Sequence, residues 1–117
     1  MSKRYKEIFK LKRMLEKENI PFEFIENFGY GPETMSLYPE LMKAIEHYQI
    51  CYPDSKTRWI SVIEGAGTYG SMVDKLEIMG GLTPLEAYET DNSVVGGLTA
   101  HNVFKRIKNH YEKEKLK

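Results

Sequence analysis

Tyr48-Gln49-Ile50-Cys51-Tyr52-Pro53-Asp54-Ser55-Lys56-Thr57-Arg58-Trp59-Ile60-Ser61-Val62-Ile63 is the stretch on which the fold turns. Two runs rich in β-branched and aromatic residues, Tyr48–Tyr52 and Trp59–Ile63, alternate apolar with polar positions as half-buried strands do. Between them Pro53-Asp54-Ser55-Lys56 supplies turn formers, so the spacing predicts an antiparallel hairpin. Upstream, Phe22-Glu23-Phe24-Ile25-Glu26 alternates in the same way and predicts a third strand. Phe22, Phe24 and Trp59 are the aromatic residues expected in the core.

Both ends of the chain read as helices. Tyr5, Ile8, Leu11 or Lys12, and Leu15 recur at the helical period, with Phe9 widening the apolar stripe, and Ile20-Pro21 closes it. Val103, Phe104, Ile107 and Tyr111 repeat the pattern at the other end, where Thr99 stands at the N-cap and Leu98 with Val103 forms a hydrophobic staple. Thr83-Pro84-Leu85-Glu86 carries a capping box with proline at the first helical position, which predicts a short helix over Pro84–Tyr88. Gly80-Gly81-Leu82-Thr83 recurs as Gly96-Gly97-Leu98-Thr99, and both copies read as a glycine break before a helix start. The stretch from Gly29 to Ala44 is broken by Gly29, Gly31, Pro32 and Pro39 and reads as a loop with a short helix over Pro39–Ile45. The expected architecture is α+β: a small antiparallel sheet of about three strands, packed by the N- and C-terminal helices, with one short extra helix.

The 117 residues, 41% of them hydrophobic and 29% charged, suffice for one domain spanning 1–117 and not for two. No run approaches the roughly 20 apolar residues of a membrane span, and the basic start Met1–Lys6 leads into a charged helix and not an apolar signal core. A cytoplasmic protein without membrane contact is expected. One cysteine, Cys51, excludes an internal disulfide. Seventeen bases balance seventeen acids, yet the charge is segregated. Residues 1–19 carry seven bases against three acids and residues 100–117 six against two, so each end is +4 and the middle −8. The segregation reads as solvated helix faces attracting an acidic body within one molecule; the sharper alternative is that the two basic ends form one patch for an anionic partner.

Gly65-Ala66-Gly67-Thr68-Tyr69-Gly70 matches the dinucleotide fingerprint, but its strand belongs to an antiparallel hairpin and the chain has no room for a doubly wound sheet. Successive glycine amides still make an anion-binding nest without such a sheet. The segment reads either as a tight turn out of the sheet or as a ligand site, and for the second Gly65, Gly67, Thr68, Tyr69, Gly70 and Ser71 are the candidate residues, the hydroxyls completing a phosphate pocket and Tyr69 offering a face to a base. Tyr30, Tyr38 and Tyr88 lie beside breaks or in short polar segments and are the candidate anchors for a partner. His47 and Cys51 have only His101 and His110 as further histidine or cysteine companions, so no metal site is expected. Asp91, Ser93 and His101 make a triad only on paper, without a nucleophile elbow. No cofactor is implied, and the expected protein is not an enzyme.

Ile20-Pro21-Phe22-Glu23-Phe24, Tyr48–Pro53, Ser61-Val62-Ile63, Gly67-Thr68-Tyr69-Gly70, Leu76-Glu77-Ile78-Met79-Gly80, and Leu98-Thr99-Ala100 with Val103-Phe104 resemble a group of small proteins encoded by phages and prophages of Gram-positive bacteria. The resemblance spans most of the chain except Gly29 to Ala44. That group offers no established catalytic residue to carry over; what it implies is an accessory protein at work inside a bacterial host. The expected function is non-enzymatic: binding that inhibits or sequesters a host factor, either a defence protein or a nucleotide-like signal. The alternative is a nucleic-acid-associated protein using the basic terminal helices. An exposed sheet edge and many aromatics also make the chain a candidate for a symmetric homodimer.

Overall fold

The predicted hairpin forms in the computed structural model, which describes residues 5–26, 47–65, 74–90 and 94–117. Strand β2 (His47–Tyr52) pairs antiparallel with β3 (Ile60–Gly65), Ile50 opposite Val62 and Tyr52 opposite Ile60. At the turn, Asp54 Oδ1 accepts from the amides of Lys56 at 2.9 Å and Thr57 at 2.7 Å, the local bonding that makes Asp a turn former. Strand β1 (Glu23–Glu26) pairs with β2, and Glu23 Oε1 accepts from the Ser55 amide and hydroxyl, tying the turn to the strand.

The sheet has five strands and not about three. Strand β4 (Leu76–Met79) pairs with β3, β5 (Val94–Leu98) pairs with β4, and the order is β1-β2-β3-β4-β5, antiparallel throughout. Leu76 and Ile78 enter the core while Met79 faces solvent, an alternation too short to stand out in the sequence. Strand β5 hides behind its two glycines, which are not a break. Leu76 pairs with Leu98 and Ile78 with Val95, so β5 carries one residue more than β4 across this interval. Gly97 takes φ +73° there, which makes a glycine bulge inside the strand. The other copy, Gly80-Gly81, is a true turn: a side chain at Gly80 would run into the Trp59 carbonyl.

Helix α1 (Glu7–Lys17) and helix α3 (Ala100–Lys115) lie side by side on one face of the sheet. Ile8, Leu11 and Leu15 from the first, with Tyr5 just before it, and Val103, Phe104 and Ile107 from the second join Ile50, Tyr52, Ile60 and Val62 in one core. Burial of each such aliphatic side chain stabilises the fold by about 1.5 to 3 kcal/mol. Leu11, not Lys12, is the stripe residue. Phe22 and Phe24 are half-buried against this core, whereas Trp59 is 43% exposed and is not a core residue. Its position precedes β3 and follows the turn, so it escapes the strand's alternation.

Helix α2 (Pro84–Thr90) outruns its predicted end by two residues. Its capping box is complete: the Glu86 amide donates to Thr83 Oγ1 and the Thr83 amide donates to Glu86 Oε1. Thr99 Oγ1 likewise accepts from the Asn102 amide at the start of α3. The expected helix over Pro39–Ile45 lies outside the described residues.

Candidate functional site

Of the residues assigned to the glycine-loop site, Gly65 alone is described, at the end of β3 opposite His47. Gly67, Thr68, Tyr69, Gly70 and Ser71 lie outside the described residues, as do the anchors Tyr30 and Tyr38 and the paper-triad members Asp91 and Ser93. Tyr88 is described and is 86% exposed on α2. Cys51 is buried, and burial pushes its thiol upward, as for a small inert hydrophobe. Among the described residues no group of three or more His, Cys, Asp or Glu side chains is placed to hold a metal.

Among the described residues, a cleft of about 510 Å³ with chemistry on its walls lies between α3 and the turn that precedes α2. Along α3 the positions 102, 105, 106, 109, 110 and 113 fall on one helical face, which presents Asn102, Lys105, Arg106, Asn109, His110 and Lys113. Gly81, Leu82 and Thr83 form the facing wall, and Ile60 completes the lining. The turn can run this close because Gly81, at φ +69°, has no side chain; a Cβ there would lie 2.8 Å from Ile60 Cδ1.

Arg106 builds the cleft rather than serving it. Its Nη1 and Nη2 donate to Glu86 Oε1 and Oε2 at 2.7 and 2.8 Å, Nη1 also reaches the Gly81 carbonyl at 2.9 Å, and Nε donates to Asn102 Oδ1 at 2.7 Å. A bidentate, charge-assisted pair of this kind is both strong and directional. The Arg106 bonds, joined by the Thr83 amide, hold the Glu86 carboxyl down at about 2. Lys105 and Lys113 are exposed and form no ion pair with a described residue, so they carry the cleft's uncompensated charge.

His110 closes one end of the cleft. Its Nδ1 lies 3.0 Å from the Tyr52 hydroxyl. Burial, followed by the nearby Glu114, pushes Tyr52 up to about 12, so the hydroxyl keeps its proton, and the imidazole tautomer sets which of the two groups donates. His110 Nε2 lies 3.9 Å from Glu114 Oε1. Trp59 lies against the same imidazole, ring centroids 4.7 Å apart.

A second constellation sits at the start of α1, whose N-cap residue, Lys6, makes no side-chain cap. Asp74 Oδ1 accepts from the Lys6 and Glu7 amides at 2.9 and 3.1 Å, and Glu64 Oε1 accepts from the Ile8 amide at 3.0 Å. Two carboxyl groups remote in sequence thus do the capping. Glu64 is fully buried, and its Oε2 has no hydrogen-bond partner among the described residues. Burial first and the adjoining Asp74 second raise its carboxyl to about 9, so it is protonated at neutral pH. Asp74 is lowered despite its own desolvation, by the Glu64 carboxyl and the Glu7 and Lys6 amides.

Only part of this is legible in the residues themselves. The basic stripe of α3 was visible as charge at the chain end, but the facing wall comes from the Gly80-Gly81 turn, 25 residues before Arg106 at Gly81. Glu64 was visible only as the next inward position after Ile60 and Val62. Compared with protein-family models, curated proteins and solved structures, the chain matches none.

Proposed function

We propose that the chain is a non-enzymatic binding protein that holds a phosphate-bearing, nucleotide-like host signal in the α3 cleft and thereby sequesters it. The observation that carries this reading is the row of Lys105, Arg106, His110 and Lys113 along one wall of a cleft, with both lysines free of described acidic partners. Its volume lies within the roughly 300–1,000 Å³ of small-ligand sites. Arg106 is neutralised by Glu86 and His110 Nε2 lies 3.9 Å from Glu114 Oε1, so a bound anion meets chiefly the two lysines. The setting, a phage-type accessory protein in a bacterial host's cytoplasm, rests on the resemblance of the sequence.

Calorimetric titration with pyrophosphate and a panel of linear and cyclic nucleotides tests the reading. Binding is expected in the wild type, and Lys105→Glu with Lys113→Glu abolishes it while Lys115→Glu, outside the cleft, leaves it intact. Absence of binding by any phosphate compound removes the proposal.

A second reading, association with a nucleic-acid strand, is favoured by Lys108 and Lys115 elsewhere on α3, poised over the Phe104 and Tyr111 rings. A strand that engages these as well as the cleft weakens steeply with salt, in proportion to the phosphates neutralised.

A further inference from the structure

Trp59 is a large apolar residue kept at the surface, at 43% exposure, and what surrounds it is specific. Its ring centroid lies 4.7 Å from that of His110, the planes tilted by 45°, and 5.8 Å from that of Tyr52 at 64°. The Tyr52 ring and the His110 ring are themselves joined by the 3.0 Å contact of hydroxyl and Nδ1. The Gly80 turn packs closely against the Trp59 backbone, whose carbonyl sits where a Gly80 side chain would stand. An indole held on one side by a bonded Tyr–His pair, and open to water elsewhere, is a preorganised aromatic surface at the rim of the cleft.

Two cations flank His110, the residue against which the indole lies, along the helix. Along α3, Lys113 lies three residues beyond His110 and Lys105 five residues before it, about 4.5 and 7.5 Å along the axis at about 1.5 Å per residue. A mononucleotide carries its phosphates on one side of the base and meets one of these lysines. A nucleotide linked through phosphodiesters on both sides meets both.

Building on the anion-binding reading of the cleft, we propose that Trp59 is a base-stacking platform and that the ligand is a phosphodiester-linked nucleotide, its base on the indole and its flanking phosphates on Lys105 and Lys113. Asn109, exposed on the same wall, has both a donor and an acceptor for a base edge. Stacking makes the platform tolerant of base identity, because every base has a π face. The same chemistry belongs to a free cyclic dinucleotide and to an internal nucleotide of a single strand.

Trp59 is the chain's one tryptophan, so its fluorescence reports the platform directly. Pyrophosphate, AMP, a cyclic dinucleotide and a six-nucleotide single-stranded DNA are titrated against the wild type at low salt. The cyclic dinucleotide or the DNA is expected to bind with quenching, AMP at least about tenfold more weakly, and pyrophosphate without quenching. Trp59→Leu, followed through a fluorescent label on whichever of the two binds, is expected to weaken binding by about 5- to 100-fold, with Trp59→Phe recovering most of the loss. Binding of the cyclic compound alone identifies a small free ligand, and binding of the DNA identifies a strand; either supports the proposal. If Trp59→Leu, shown by circular dichroism to be folded, binds as tightly as wild type, or if AMP binds as tightly as the linked nucleotides, the platform is overturned while the anion cleft stands. If no phosphate compound binds at all, pyrophosphate included, the cleft reading falls and this proposal falls with it.

Discussion

Two glutamates, Glu64 and Glu86, are driven in opposite directions by their surroundings, and the difference is measurable as stability. Glu64 rises from an ordinary 4.5 to about 9, chiefly through burial. Between those values the folded protein keeps a proton that the unfolded chain releases, so the stability that Glu64 contributes is complete below pH 4.5 and is lost as pH rises through about 9. Glu86 falls from 4.5 to about 2 through Arg106 and the Thr83 amide. Its contribution is complete above pH 4.5 and is lost as pH falls through about 2. Urea midpoints measured across this range are expected to decline on both sides. Glu64→Gln, which retains an acceptor for the Ile8 amide, flattens the alkaline limb and leaves the acid limb; Glu86→Gln flattens the acid limb and leaves the alkaline one. An unchanged alkaline limb in Glu64→Gln would mean that the buried carboxyl is not the group that titrates there.

Among the elements, the termini of α2 and α3 rest on single hydroxyls and β5 rests on a single glycine. Thr99→Ala removes the acceptor for the Asn102 amide and is expected to cost about 1 kcal/mol. Gly97→Ala is expected to cost a similar amount, about 1 kcal/mol, although its Cβ meets no neighbour, because φ +73° disfavours any residue with a side chain. Chemical denaturation of the two variants checks both figures, and a neutral Gly97→Ala would show that the bulge relaxes. These elements also mark how far the sequence is legible. The caps at Thr83 and Thr99 could be read in advance because their chemistry closes within four residues. The hairpin was readable because its turn and both its alternating runs are contiguous. Strand β4 offers only Leu76 and Ile78 as alternation, and in β5 the glycines of a bulge have the same letters as the glycines of a turn. The α3 face of the cleft was visible as a charged helix, but the wall at Gly81 and the exposure of Trp59 are decided by tertiary approach. The loop read as the candidate ligand site rests on glycine spacing with the Thr68 and Ser71 hydroxyls and the Tyr69 ring, and beyond Gly65 it lies outside the described residues.

At the scale of the whole molecule, the sheet and its two terminal helices form one layer against another, with the outer strands β1 and β5 at the edges. The edges bear on the expected homodimer: β1 exposes Glu23 and Glu26, and β5 is kinked at Gly97, features that discourage strand-to-strand pairing between copies. The segregated charge is partly resolved within the fold, where Arg106 from the basic end meets Glu86 from the acidic middle. No helix among the described residues is long and apolar enough to cross a membrane. The remote capping of α1 has a consequence in time. The helix is made early by the ribosome, but the carboxyl groups that accept its first amides stand 56 to 68 positions later in the chain. Its first turn is therefore finished only when β3 and β4 have docked, and the exchange of the Lys6, Glu7 and Ile8 amides with solvent deuterium should follow the opening of that distant hairpin instead of local fraying. Exchange in these three amides that is insensitive to loosening of the β3–β4 hairpin would uncouple the two ends.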